Sequence, residues 1–296
     1  MNFTEDQLAT WAKPPSETEE TKCSNTVSRV TRALRAKFGN EVSIFLQGSY
    51  KNRTNVRRDS DVDIVVCHNN YYFPDVAFLS DSEKTTFWQN FTASQYSFAQ
   101  FKNDAVAALQ SEFSFGDVQR KNKCVLIEEG SQRVNADVVP CFEHRRYAGP
   151  YNVSNTGIEF ETDNGSRIYS FPEQHYNNGV AKNERTGRMY KSVVRIMKHA
   201  RNQMVDAGLI GSDAMSSFFL ESLVWNVDDD CFNQRTYAEG TRKVISRIWN
   251  DMGNAEKANN YAEVSDLKWL FRGNTSKTPQ QGRDFMFKLW NFLGYE

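Results

Sequence analysis

The chain has 296 residues, with 36 Lys and Arg against 37 Asp and Glu and a net charge of -1. That length gives room for one large or two packed domains, and the balanced charge excludes a global pull toward nucleic acid or an anionic membrane, so any phosphate binding has to be local. Five cysteines, at 23, 67, 124, 141 and 231, include no Cys-x-x-Cys pair and read as reduced thiols rather than a disulfide frame or zinc knuckle.

The start, MNFTEDQLATWAKPPSETEE, is acidic and polar, and no later stretch has the apolar length of a membrane span, which points to a soluble cytoplasmic chain. Residues 14–20 lead into a helix in which Val27, Val30, Leu34 and Phe38 recur at helical spacing before Gly39 ends the run. Val42 to Leu46 predicts a short strand, Gly48-Ser49 breaks it, and Asp61 to Val66 predicts a second. The stretch from Asp81 to Phe113 reads as mostly helical, and Lys123–Glu128 with Gln132–Val139 reads as a hairpin around Gly130-Ser131. Residues 157–171 predict another hairpin around Asn164-Gly165. PEQHYNNGVAKN reads as a loop, after which helices are predicted over Glu184–Val205, Ala214–Asn226, Thr236–Met252 and Pro279–Leu293. The change of texture places a boundary near residue 175.

In DSDVDIVV, strand parity sends Asp61 and Asp63 to one face and Val62, Ile64 and Val66 to the other. Neighbouring carboxylates repel, and a fold tolerates them most readily around a hard divalent cation that prefers oxygen. In RVNADVVP, Asp137 shares a face with Asn135 and Val139 and is placed to complete the site. Three carboxylates suit two Mg2+ ions, with Mn2+ as a substitute; in phosphoryl transfer such a pair activates an attacking hydroxyl and stabilises departing pyrophosphate. Leu46-Gln47-Gly48-Ser49 adds a glycine where backbone amides can approach a phosphate, and the Ser49 hydroxyl as a further donor. A lone Asp-x-Asp more often marks the polar face of a half-exposed strand, so the surrounding sequence decides the reading.

The full string LQGSYKNRTNVRRDSDVDIVV resembles the nucleotidyltransferase superfamily signature, a strand, Gly-Ser, a connection and Asp-x-Asp in an apolar strand, with Asp137 in the place of the third metal carboxylate. Downstream, GRMYKSVVRIMKHARN has an apolar stripe of Tyr190, Val193, Val194, Met197 and Met204 beside a polar one of Lys191, Arg195, Lys198 and Asn202. A polar stripe is ordinarily a solvated face. Here it also resembles the Arg-x-x-Lys helix that oligoadenylate synthetases and cGAS aim at the donor triphosphate, with Arg195 and Lys198 at the motif positions. Ser217, with Ser216 as the alternative, is similar in placement to the cGAS-type serine on donor phosphates. Together with SFFLESLVWNV, VSDLKWLF and PEQHYNNGVAKN, these segments make the chain from about residue 25 onward resemble the bacterial CD-NTases of antiphage (CBASS) signalling, most of all the CdnE clade.

The resemblance implies an α/β (α+β) fold with a Pol-β-like nucleotidyltransferase sheet. It assigns residues 1–175, with an N-terminal spine helix, to the catalytic core and 176–296 to a helical lobe completing the nucleotide pocket, the two around an active-site cleft. It implies a cyclic oligonucleotide synthase that joins nucleoside triphosphates, ATP among them, into a cyclic di- or trinucleotide second messenger acting on a separate antiphage effector protein. On that reading Asp61 and Asp63 hold the donor's metals, Asp137 acts on the acceptor hydroxyl, and Gln47, Gly48, Ser49, Arg195, Lys198 and Ser217 bind nucleotide.

Tyr50, Tyr176 and Tyr190 offer faces for base stacking. Asn177 and Asn178 carry amides that match a uracil edge, which with the clade likeness points to UTP or another pyrimidine, although turn propensity accounts for both equally well. The His/Cys zinc insertion and basic platform of the animal DNA sensor are missing, so direct DNA activation is not expected. The alternatives are transfer to another acceptor, such as an antibiotic, a protein or an RNA end, and a catalytically dead nucleotide-binding protein. Intact Gly48-Ser49 and three aspartates argue against the second.

Overall fold

The computed structural model describes residues 1–14, 17–56, 61–273 and 276–295. The expected helix lead at 14–20 and the connection up to Asp61 therefore fall partly outside the described residues. In chain order the elements are α1 (Glu5–Trp11), α2 (Glu17–Phe38), β1 (Val42–Gln47), α3 (Gly48–Asn52), β2 (Val62–Asp75), α4 (Asp81–Gln89), α5 (Phe98–Glu112), β3 (Val118–Arg120), β4 (Val125–Ile127), β5 (Ala136–Gly149), β6 (Asn152–Glu161) and β7 (Arg167–Ser170). Helices follow to the end: α6 (Pro172–Arg185), α7 (Met189–Asp206), α8 (Ser217–Trp225), α9 (Tyr237–Met252), α10 (Ala255–Asn259) and α11 (Pro279–Leu293). No helix among the described residues is long and apolar enough to cross a membrane.

One compact unit, Ser16–Tyr50 with Ser60–Pro172, is built on a mixed sheet in the order β1-β2-β5-β4-β3, with β6 and β7 added beyond β5. Only β2 and β5 run parallel; the other pairs are antiparallel. The long β5 serves two partners on one side, pairing β4 through Ala136–Val138 and β6 through Phe142–Gly149. Apolar residues of α2 and α5, among them Val30, Leu34, Phe101 and Leu109, are fully buried with Val62, Ile64, Val66 and Val138 of the sheet. That burial on a helix-covered face is what holds the central strands in register.

Both predicted hairpins form. The first is β4 with β5, its connection closed by a bridge between Gly130 and Arg133, and the second is β6 with β7. Strand β3 has three residues, too few to show a period of two, and escaped the sequence reading.

The other unit is Met1–Pro15, Lys51–Asp59 and Glu173–Glu296. Among the described residues, 1–14 and 51–56 cluster with the helices of this unit, whereas a single division near 175 places them with the sheet. Helix α1 was not predicted; Thr4 caps it through a capping box with Gln7. Its Glu5 carboxylate in turn accepts the Tyr237 and Ala238 amides at the start of α9, at 2.6 and 3.0 Å.

The expected loop PEQHYNNGVAKN is also helix. Pro172 occupies the first position of α6, where a missing N–H costs nothing, Glu173 follows in the first turn, and Lys182 and Arg185 sit in the last. Helix α7 is the axis of this unit. Its apolar stripe, Tyr190, Val193, Val194, Met197 and Met204, is buried as expected, but Lys191, Arg195 and Lys198 are buried too, so the polar stripe is not a solvated face.

Candidate active site

Register brings two of the predicted carboxylates side by side. Asp63 lies opposite Asp137 across the parallel β2–β5 pair, Gln47 lies opposite Asp63 on β1, and Leu126 lies opposite Asp137 on β4. The four make one row at the edge where β2 begins. Farther along the same face of β2, Val65 and Cys67 are buried, so only the first turn of the pleat carries acid. Asp61 precedes the strand and is exposed. Its charge still reaches Asp63, whose carboxyl is raised to about 7 first by burial, then by Asp137, then by Asp61.

Gly48 shows why this spot takes no side chain. Its φ is +68°, and a Cβ there would lie 1.9 Å from Asp63 Oδ2. The Asp63 carboxylate thus occupies the space that any other residue would fill at the Gly-Ser turn. Beside it, the Cys124 thiol donates to Asp137 Oδ1 at 3.2 Å. Burial, with the Asp137 charge second, pushes that thiol up to about 12, so it stays a neutral donor. Cys124 has no sequence signal: it stands just before β4 and only the register of β4 on β5 brings it to Asp137.

The helical unit holds the predicted cations in a different state. Arg195 is 7% exposed and donates from Nε to the Ala12 carbonyl and from Nη1 to the Arg53 carbonyl, both at 2.6 Å. Its fork ties the N-terminal segment and the 51–56 segment to α7. Lys198, 1% exposed, donates to Glu221 Oε2 at 2.9 Å and to Thr54 Oγ1 at 3.2 Å. The same Glu221 Oε2 accepts the Thr54 hydroxyl at 2.8 Å, and His175 Nε2 meets Oε1 at 3.2 Å. Burial alone would raise the Glu221 carboxyl, but Lys198 and His175 hold it well below the carboxylate range. The Lys198 ammonium is thus neutralised inside the protein.

Sequence reasoning passed over Glu221. The available signal was a lone carboxylate in the apolar run FFLESLVW, because a charge placed there has to be paired. Ser216 is the N-cap of α8, accepting the Phe219 amide at 3.2 Å, which leaves half-buried Ser217 as the first residue of that helix.

Two base-pocket candidates, Tyr190 for stacking and Asn178 for a uracil edge, are engaged within the protein. Tyr190 is fully buried against Trp225 and Phe232, in the apolar core of its unit, and presents no face to a ligand. Asn178 spends its amide on the Val264 carbonyl at 2.9 Å, anchoring α6. Tyr50 is half-buried and shares a hydrogen bond with the Cys23 thiol, while Asn177 is exposed on α6.

Asp61, Asp63 and Asp137 are hard oxygen donors of like charge, and burial first, then the other two charges, raise the Asp63 carboxyl well above its ordinary value. That is the chemistry a divalent cation relieves, so the residues fit such an ion. Among the described residues no three such side chains converge into a ready-made ion cage, with Asp61 turned to solvent and Asp137 engaged by Cys124.

Comparison with known proteins covers nearly the whole chain. Residues 6–168 match the Second Messenger Oligonucleotide or Dinucleotide Synthetase domain, and residues 177–294 match the cGAS/DncV-like nucleotidyltransferase C-terminal helical domain. A cyclic dipurine nucleotide synthase of Elizabethkingia meningoseptica is 45% identical over 296 residues, all of both chains. A cyclic dipyrimidine nucleotide synthase CdnE of Cecembia lonarensis is 37% identical, over 99% of each. The solved structure of the Elizabethkingia meningoseptica CdnE cyclic dinucleotide synthase with GTP and Apcpp superimposes with a TM-score of 0.84 at 44% identity, over 99% of this chain and 100% of that one.

Proposed function

The chain belongs to the cGAS/DncV-like nucleotidyltransferase family as a cyclic nucleotide synthase of the CdnE clade, and we propose that it condenses two purine nucleoside triphosphates at the Asp61, Asp63 and Asp137 edge of its sheet. The observation that carries the site is the register of Asp63 beside Asp137, with Gly48 forced open by the Asp63 carboxylate. Asp61, Asp63 and Asp137 would hold divalent cations, Mg2+ by their hardness and two by analogy with other phosphoryl-transfer sites. Bound there, the ions neutralise phosphate charge and acidify the attacking hydroxyl.

The chain's own residues divide the remaining work. Gly48 lets backbone amides approach the donor's phosphates, and Ser49 adds a hydroxyl donor. Ser217 is the helical unit's candidate for a phosphate contact. Asp137, its carboxylate oriented by the Cys124 thiol, takes the hydrogen bond of the acceptor hydroxyl. As the new oxygen–phosphorus bond forms at the donor's α-phosphorus, the bond to the β-phosphate oxygen breaks and pyrophosphate leaves with the electron pair. A second, reversed condensation closes the ring. Lys198 acts indirectly, by holding Thr54 and Glu221.

Purine use is supported by the 45% identical dipurine synthase and by the commitment of Asn178 to Val264, which leaves only Asn177 for a uracil edge. Pyrimidine use keeps the support of the 37% identical dipyrimidine synthase. Incubation with each labelled triphosphate in turn, all four present, followed by mass spectrometry, tests both. Label from ATP or GTP alone in a nuclease-resistant cyclic product is expected; incorporation of UTP or CTP refutes the purine assignment. Such a product would act on a separate effector protein in antiphage signalling.

A further inference from the structure

Helices α9 and α11 run antiparallel: Met252 packs on Gly282 at one end, and Arg242 shares a cleft with Tyr295 at the other. Between them lies a groove with a cavity of about 270 Å³. Ile245 and Met286, both buried, form its floor, and Trp249, Phe287 and Trp290 form its walls. On each helix these residues are three or four apart, so they share one face. Phe287 is 57% exposed and both indoles are half-buried, which leaves three aromatic rings meeting water in one place.

A cation stands at each end of this apolar strip. Arg283 lies one turn before Met286 and Phe287, with its guanidinium carbon 4.1 Å from the centroid of Trp249 and its Nε buried without a hydrogen-bond partner. Arg242 lies one turn before Ile245 on the other helix and is exposed. Neither has an ion pair among the described residues, and no carboxylate among them lines the groove. At 1.5 Å per residue, the rise from Arg242 to Trp249 separates the two charges by about 10 Å. Trp, Phe, Met and Arg are also the residue types that concentrate binding energy at the centre of protein interfaces.

We propose that the groove between α9 and α11 docks an amphipathic helix of a partner protein, its apolar residues on Trp249, Phe287 and Trp290 and its carboxylates, two turns apart, on Arg242 and Arg283. The cavity is smaller than the clefts that enclose a small-molecule ligand. A membrane surface calls for a projecting apolar face and a field of cations, whereas here the apolar residues line a hollow and the two charges mark its ends. A second copy set groove to groove would bring arginine against arginine, which opposes association. The surface lies wholly within the helical unit and does not rest on the synthase reading.

The probe is a fluorescein-labelled, alanine-based helical peptide that carries Glu-Ala-Ala-Leu-Leu-Ala-Ala-Glu, titrated with the intact protein and read by anisotropy. A twin peptide carries lysine for each glutamate. The acidic peptide should bind saturably and the lysine twin at least about tenfold more weakly. Arg242→Glu and Arg283→Glu should each weaken the acidic peptide about tenfold and strengthen the twin, a swap that loss of packing alone does not produce. Phe287→Ala should weaken both peptides about tenfold. Arg242 and Phe287 are exposed, so their variants keep the fold even if Arg283→Glu does not. The proposal is overturned if the acidic peptide shows no saturable binding, if the twins bind alike, or if Arg242→Glu and Phe287→Ala leave affinity unchanged. Binding to phosphatidylglycerol vesicles that Phe287→Ala abolishes would assign the face to a membrane, and a wild-type dimer that the same variant dissociates would assign it to a second copy; either result also overturns it.

Discussion

Asp63 in the sheet unit and Glu221 in the helical unit are both buried carboxylates, and their surroundings are opposite. Burial raises both, but around Asp63 the charges of Asp137 and Asp61 raise it further, whereas around Glu221 Lys198 and His175 outweigh burial and lower it, with the Thr54 hydroxyl as a further hydrogen-bond donor. A fold assembles the second arrangement for itself, because each buried charge is offset where it sits. The first is a standing cost to the native state, and under the proposed function a bound cation would remove the repulsion. Charge compensation therefore separates a group that works on a ligand from one that holds the protein together.

The sharpest break of that contrast is Asp61→Asn with Asp63→Asn. Isosteric amides keep the packing and remove two oxygen anions, so product formation should fall by more than about a thousandfold while urea unfolding shows a stability equal to or above wild type. Synthesis that persists in this double variant removes the carboxylates from the chemistry. Next in size is Glu221→Gln, which leaves Lys198 buried without its counter-charge and should cost about 3–5 kcal/mol of stability. Combining it with Lys198→Met should restore much of the loss, and a cycle of urea midpoints measures the coupling. No such coupling would mean that the pair is not what neutralises Lys198.

How far these two sites could be read from sequence follows from the same contrast. The juxtaposition of Asp63 and Asp137 was legible because strand parity and the Gly-Ser turn are local patterns and the pair needs only a parallel register, whereas Asp61 lies just before the strand, where parity does not place it. The strands at 42–47 and 62–66, both hairpins and helices α9 and α11 were legible for the same reason. The Glu221 network was not, since it joins α6, α7, α8 and the 51–56 segment across a separation of 167 residues between Thr54 and Glu221. A helix wheel shows Arg195 and Lys198 as a polar stripe and cannot tell water from a buried partner. The burial of Tyr190 and the Asn178 bond to Val264 were not legible, because an aromatic face and an amide carry no mark of whether the fold has already used them. Helix α6 was hidden by its asparagines and glycine, whose turn propensity is overridden by packing: Gly179 is buried and Asn178 tied to Val264.

The smallest effect separates the two carboxylates by the sign of their pH dependence. Asp63 is raised from 3.8 to about 7, so the folded chain binds its proton more tightly than the unfolded chain does. Its contribution to stability is complete below about pH 4 and is lost as the pH climbs through about 7. Glu221 is lowered, so its contribution is complete above about pH 4.5 and is lost only in acid. In EDTA, urea unfolding of wild type and Asp63→Asn at pH 5 and pH 8 should therefore show the variant gaining on wild type by about 1–3 kcal/mol across that interval, below the ceiling set by the full shift. Saturating Mg2+ should narrow the gap at pH 8 for the wild-type site, because an ion bound to the ionised carboxylate stabilises only the chain that has it. A gap that is flat with pH would mean that Asp63 ionises normally despite its neighbours, and the contrast with Glu221 would reduce to geometry alone.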